Sequence, residues 1–350
     1  MSEALERWRR FRVYALAVGA GAGLGCIFRS LFSASPSHNN FNPYLSYVVL
    51  IMTVTFLAVV PMAMGYLSVG EYLRAAPAES VRVYKWIFLP WISVILSMGV
   101  AVLFKWEGIA CIVFAGPLML LFSLVGGICA WLAWRRFGQI SQSRLSAFAV
   151  PLALLMIEAH IPNPQEIRTV QTEILIHAPA NVVWNNIKSV RRIEQEELPR
   201  TWVQGIGFPS PIAATLSHEG VGGVRAASFS GGLVFTETVN KWEPEDDLRF
   251  SIHSNTDSIP RSTLDEHVTI GGAFFDVLDG EYQLEQRPDG VLLHLKSRER
   301  LSTHFNPYAG QWTDAVMRAI QEQILAVIRR RCKVDASVNK VYEKAPSPAP

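Results

Sequence analysis

The chain has 350 residues, half of them hydrophobic, with a formal net charge of +2 and a positive mean hydropathy. That apolar fraction is high for a wholly soluble protein of this length, so part of the chain is expected to meet lipid. The near-neutral total conceals an asymmetry: up to Ile161 there are 12 Lys and Arg against 6 Asp and Glu, and after it 20 against 24. Opposite net charges on segments of different hydropathy fit two environments better than one domain, which predicts a boundary near residues 161 to 168.

In chain order, apolar segments fall at Val13 to Phe32, Tyr44 to Leu67, Trp86 to Phe104, Ile109 to Trp134 and Leu145 to Ile161. The first four have the length of about 20 residues that a bilayer core requires. The fifth is shorter, contains Pro151 and ends at Glu158 and His160, yet is expected to span on its hydropathy. Arg7, Arg9, Arg10 and Arg12 before the first segment fit an uncleaved helix better than a signal peptide, because Arg29 interrupts the apolar run and no small-x-small site follows.

Basic residues in short connections orient a bundle, because translocating them is unfavourable. The N-terminal arginines, Arg74 with Arg82 and Lys85, and Arg135 with Arg136 and Arg144 all fall on one side, leaving Lys105 on the other and Arg29 to snorkel from a helix end. This predicts a cytoplasmic N-terminus and, after five crossings, a C-terminal domain outside the inner membrane. The lipid bilayer is therefore the first expected partner. Gly19, Gly21, Gly23 and Gly25 do not make a phosphate loop, since Gly-x-Gly-x-x-Gly would need glycine in place of Leu24 or Cys26; small residues four apart suit close helix packing. Pro61, Pro90, Pro117 and Pro151 read as tolerated kinks, and helices almost free of internal charge argue against an ion pathway.

From Val170 the period changes. VQTEILIH alternates as a strand, and ANVVWNNIKSV places Val182, Val183, Trp184 and Ile187 on one helical face. Strands are expected at about 213 to 218, 224 to 230, 233 to 242, 247 to 254, 267 to 285 with a break, and 291 to 302. Turns at Gly222-Gly223, Gly231-Gly232, Pro244 to Asp247 and Pro288-Asp289-Gly290 divide them. A long amphipathic helix from Pro307 to about Arg331 carries Trp312, Val316, Ala319, Ile320, Ile324, Val327 and Ile328 at helical spacing. The fold class expected is a helical transmembrane bundle over residues 1–164, then an α+β helix-grip domain over 165–333 with a curved antiparallel sheet around its last helix. The Pro-rich segment 334–350 is expected to be disordered.

ILIHAPANVVWNNI, GVGGVRAASFSGGLVFTETVNKWEPEDDLRF and NPYAGQWTDAVMRAIQEQIL resemble segments of START-like SRPBCC domains, the superfamily of polyketide cyclases and lipid-transfer proteins. The resemblance covers roughly residues 168 to 332. It implies a helix-grip fold with an apolar cavity and a hydrophobic small molecule as partner, but no single activity, since such domains bind many ligands and only some catalyse reactions.

Alternation places Glu237 with Leu233, Phe235 and Val239, and Glu299 with Val291, Leu293, Leu295 and Leu301. Asp276, Leu278, Tyr282 and Leu284 form a third set if Gly280 introduces no bulge. Acids on inward faces are costly unless paired or protonated, which makes Glu237, Asp276 and Glu299 the catalytic candidates. Pairing of Glu237 and Glu299 with Arg225, Arg298 or Arg300, or a register slip that turns them to water, is the alternative. The expected ligand-facing residues are Trp202, Phe208, Phe235, Glu237, Tyr282, Leu293, Glu299 and Trp312, with Trp202, Phe208 and Pro209 in a loop that is either a lid or a local plug.

Cys26, Cys111, Cys129 and Cys332 show no paired spacing and the histidines no ligand spacing, so neither disulfide nor metal is expected, and no cofactor. His253 and His294 fall on outer faces by alternation. Arg329, Arg330 and Arg331 suit a helix C-terminus and need no nucleic acid to account for them. Three functions remain open: a binding protein for a lipid-like molecule, an enzyme of cyclase or hydrolase type using the cavity acids, and a membrane scaffold or sensor with an occluded cavity.

Overall fold

The computed structural model describes residues 2–32, 53–75, 84–138, 143–254, 270–272 and 274–343. The chain divides into two compact units, 1–164 with 303–305, and 165–302 with 306–350.

The first unit is helical: α1 (Ser2–Phe32), α2 (Val60–Ala75, entered through a π-helical turn Thr55–Val59), α3 (Tyr84–Leu103), α4 (Ile109–Phe137) and α5 (Ser143–Glu158). Among the described residues four helices are long and apolar enough to cross a membrane, and α5, at 16 residues, is not one of them. The second segment runs on past Leu67 to Ala75, and its expected start at 44–52 lies outside the described residues. Pro90, Pro117 and Pro151 lie inside helices.

Of the four closely spaced glycines, Gly21 and Gly25 carry the packing. A Cβ on Gly21 would stand 2.1 Å from Ser68 Oγ and one on Gly25 2.7 Å from Met64 Cε, whereas Gly19 and Gly23 meet nothing within 4 Å. Closer still is the α2–α4 crossing, where a Cβ on Gly65 would lie 1.8 Å from the Ser123 carbonyl oxygen. Such approaches let backbones pack without side chains between them, which is how helices associate where no hydrophobic drive exists. Arg29 does not snorkel: it is buried and pairs with Glu107 at 2.6 Å. Glu107, in the connection between α3 and α4, offers a carboxylate, and pairing there costs less than leaving one charge alone.

The second unit has the element order the sequence predicts. β1 (Glu166–Ile176) leads to α6 (Ala180–Lys188) and a short α7 (Trp202–Gly205); then come β2 (Pro211–Leu216), β3 (Val224–Phe229), β4 (Val234–Glu243), β5 (Asp247–Ser254), β6 (Phe275–Arg287), β7 (Gly290–Leu301) and α8 (Asn306–Glu343). The sheet is antiparallel in the order β1-β7-β6-β5-β4-β3-β2, curled around the long last helix in the helix-grip arrangement. Residues 267–269, expected in a strand, lie outside the described residues, and β6 proper begins at Phe275.

Apolar side chains fill the space between the sheet, α6 and α8. Val183, Trp184 and Ile187 of α6, Leu284, Leu293 and Leu295 of the sheet, and Leu325 and Ile328 of α8 form one buried cluster. The stripe read on α8 is incomplete, since Leu325, Gln321 and Gln323 are also buried. A sheet that wraps a helix covers more of its circumference than a flat partner would, so a single 3.6-residue stripe understates the buried face. The helix continues to Glu343, and residues 344–350 of the expected tail lie outside the described ones. The segment 334–343 contains no proline before Pro346, so nothing in its covalent chemistry stops the helix.

Candidate functional site

The inner face of the sheet is apolar apart from a few positions, and the strand register determines which. Val224 to Phe229 and Val234 to Glu243 pair so that Arg225 lies directly opposite Glu237. Residues in direct cross-strand register share a face, so both side chains point inward with Phe235 and Val239. Arg225 Nη1 donates to Glu237 Oε2 at 2.6 Å, with Arg225 2% and Glu237 8% exposed.

The same guanidinium stands over two rings, 4.8 Å from the centroid of Phe250 and 6.0 Å from that of Tyr282. Cation–π attraction on the ring faces offsets part of the loss of water. Its Nε has no hydrogen-bond partner among the described residues. Burial pushes the Glu237 carboxyl up and the Arg225 charge pulls it back. Burial likewise raises the Tyr282 hydroxyl to about 12, opposed by Arg225. Glu237 is thus both inward-facing and paired, combining what the sequence left as alternatives.

A second polar position lies on β7. Glu299 is fully buried, in phase with Leu293, Leu295 and Ser297, and neither carboxylate oxygen has a hydrogen-bond partner among the described residues. Burial raises it to about 7; the Thr313 hydroxyl and Arg168 oppose the rise, and Asp314 adds to it. Leu295, opposite Tyr282, is four residues from Glu299, a separation of ~13 Å along a strand. Among the described residues no hydrogen bond joins Glu299 to Arg225, Glu237 or Tyr282.

Asp276 does not join either. The register shifts between Val277 and Asp279, so Val277 rather than Asp276 faces inward opposite Glu299, and Asp276 lies opposite Arg300 on the other face. A bulge adds one residue and reverses the alternation beyond it. The sequence placed the possible break at Gly280; it falls two or three residues earlier, where no glycine announces it.

Of the remaining expected residues, Phe235 is buried and stacks edge-on to Phe229 at 5.3 Å. Leu293 is fully buried in the apolar cluster that also holds Phe250 and Tyr282. Trp312 is half-buried on α8 with its ring 6.4 Å from Tyr308. Trp202 opens α7 with 45% of its surface exposed, while Phe208 is buried. The loop carrying them is tied to α8: Gln204 Nε2 donates to Gln323 Oε1 at 3.1 Å, and Gln323 Nε2 donates to the Pro199 carbonyl at 2.9 Å. Arg225 and Gln323 were not read as site residues. For Arg225 a signal existed, a basic residue at the strand position that a hairpin centred on Gly231-Gly232 sets against Glu237; for Gln323 there was none.

No family model matches the chain, and no curated protein matches it. Solved structures match at low identity. DynU16, a protein of the dynemicin biosynthetic locus, is 17% identical over 48% of this chain and 48% of its own, with a TM-score of 0.30. The di-domain ARO/CYC BexL of the BE-7585A biosynthetic pathway is 13% identical over 61% and 62%, at 0.32. Ara h 8.0201 is 10% identical over 48% and 99%, at 0.30. The chain spans about half the length of DynU16. The fold assignment here rests on the strand order and the enclosed final helix.

Proposed function

We propose that this is a multi-pass membrane protein whose helix-grip domain binds a lipid-like or other hydrophobic small molecule between the sheet and α8. The observation that carries the reading is the inner face itself, apolar over most of its area and holding a buried, ring-stacked Arg225–Glu237 pair with an unspent Nε donor. Pockets for apolar ligands combine such a lining with a few oriented polar groups. The sequence resemblance to START-like SRPBCC domains points the same way. Catalysis by paired carboxylates is disfavoured, because Glu237 is engaged by Arg225, Glu299 is remote along β7 and Asp276 lies on the other face.

The helical unit anchors the domain with the N-terminus in the cytoplasm and α5 as the fifth crossing, which leaves the helix-grip domain outside. The basic connections support this orientation. Both ends of α5 are fixed to opposite ends of the second span: Arg144 pairs with Glu71 at 2.6 Å, and Glu158 accepts the backbone N–H groups of Val54 at 2.7 Å and Thr55 at 2.9 Å.

Native mass spectrometry of the full chain released from lipid nanodiscs tests the binding reading. One apolar molecule retained at one-to-one stoichiometry is the expected result. A bare chain that also takes up nothing from a lipid library would overturn it.

A further inference from the structure

Glu299 is a buried polar group whose cost the second unit leaves unmet. It is 0% exposed, and both its carboxylate oxygens are unpartnered among the described residues. Leaving a buried polar group unsatisfied is unfavourable, and such groups in native proteins call for a specific explanation. An obvious counter-ion is at hand and engaged elsewhere. Arg168 lies directly opposite Glu299 on β1. Its Nε and Nη2 donate to Asp314 at 2.9 and 2.7 Å, and its Nη1 donates to Glu166 at 2.5 Å. Thr313 on α8, whose hydroxyl pulls the Glu299 carboxyl down, also lies 3.1 Å from the Gly310 carbonyl as a donor. Val277 on the β6 side offers no polar atom.

The protein therefore holds a carboxyl at the inner face with neither oxygen in a well-formed hydrogen bond among the described residues, and with only the Thr313 hydroxyl acting on it from α8. We infer that Glu299 is the hydrogen-bonding subsite for a neutral hydroxyl group on the hydrophobic ligand, separate from the Arg225–Glu237–Tyr282 cluster. The inference rests on the binding reading above and specifies the ligand class: an apolar molecule bearing a hydroxyl, rather than a plain hydrocarbon or a cation. A hydroxyl both donates and accepts, so it matches a carboxyl in either protonation state. An ammonium requires the ionised form, which burial disfavours at this position. The Arg225 Nε, on β3, is a separate donor suited to an acceptor elsewhere on the same molecule.

Photolabelling of the full chain in nanodiscs separates this inference from the reading beneath it. The probes are tetradecanol, tetradecylamine and tetradecane, each with a mid-chain diazirine, and adducts are mapped to peptides of β7 and α8. The wild-type chain is expected to take up the alcohol about tenfold better than the alkane, the ratio that one hydrogen bond of 1.4 kcal/mol gives. Glu299→Leu should bring the alcohol down to the alkane level with alkane labelling unchanged, which also shows that the variant is folded. Glu299→Gln, which keeps a donor and an acceptor, should retain the preference. Equal labelling by alcohol and alkane in wild type, a preference that survives Glu299→Leu, or stronger labelling by the amine would each overturn the subsite while leaving the binding reading in place. Absence of adducts from all three probes in these peptides would overturn both.

Discussion

Glu299 imposes a pH dependence whose sign follows from its environment. Its folded-state value is raised from 4.5 to about 7, so between those values the folded chain retains a proton that the unfolded chain has released. The folded state then binds more protons, and stability falls as pH rises through that window, by about 3 kcal/mol in total. Glu299→Gln removes the titration. It should match wild type near pH 4 and exceed it near pH 8, as read by urea unfolding of the C-terminal domain with pulse proteolysis; parallel pH profiles for the two chains would refute the assignment. Arg225 and Glu237 behave differently because they have each other. Truncating Arg225 to Leu leaves a buried carboxylate alone and should cost about 3–5 kcal/mol, whereas replacing both by Leu should recover most of it. A double-mutant cycle with no coupling would show that the two side chains do not form a pair. Glu237 and Glu299 were legible as inward-facing because β4 and β7 alternate without interruption there. Asp276 was misplaced because a bulge without glycine leaves no trace in composition.

At the level of elements, strands and turns were readable from alternation and from the Gly and Pro punctuation, and the apolar face of α6 came out residue for residue. The last helix was harder. Its buried glutamines break the apolar stripe, yet Gln321 is what locks the helix to the sheet: its Nε2 donates to the Val170 carbonyl at 3.2 Å and to Ser297 Oγ at 2.9 Å, and its Oε1 accepts from Thr172 Oγ1 at 3.1 Å. A polar side chain that makes three buried hydrogen bonds reads from sequence as a surface residue, because its partners lie some 25 to 150 positions away. Gln321→Leu strands a backbone carbonyl and two hydroxyls, and should destabilise the domain by about 2–3 kcal/mol. Hydrogen exchange on β1 and β7 reports it, since loss of the clamp should accelerate exchange in those two strands. Unchanged protection there would mean that apolar packing alone holds the helix.

For the whole molecule, the open question from sequence was whether the short fifth segment crosses, because one crossing more or less moves the helix-grip domain to the other side of the bilayer. Length alone counts against α5: 16 residues rise ~24 Å, short of a hydrocarbon core of ~30 Å. Its end contacts argue the other way. Arg144 at its start meets Glu71 near the end of α2, and Glu158 at its finish caps the first N–H groups of the second span at Val54 and Thr55. An antiparallel neighbour fixed at both ends traverses the depth its partner traverses, and the second span is itself long enough to cross. A carboxylate at a helix N-terminus is favourable electrostatically, so the cap contributes to this alignment. Short spans are tolerated when charged residues at their ends reach the headgroups and the bilayer thins locally, at a modest cost per ångström. Fusion of alkaline phosphatase or of a cytoplasm-dependent fluorescent protein after Pro350, in a bacterial inner membrane, should give an active phosphatase and a dark fluorophore. The opposite pair of results would make α5 a helix that returns without crossing. In that case Glu158→Ala, which removes the cap, should leave the topology unaltered, whereas a true fifth crossing held by these end contacts should show mixed topology in a Glu71→Ala, Glu158→Ala double variant.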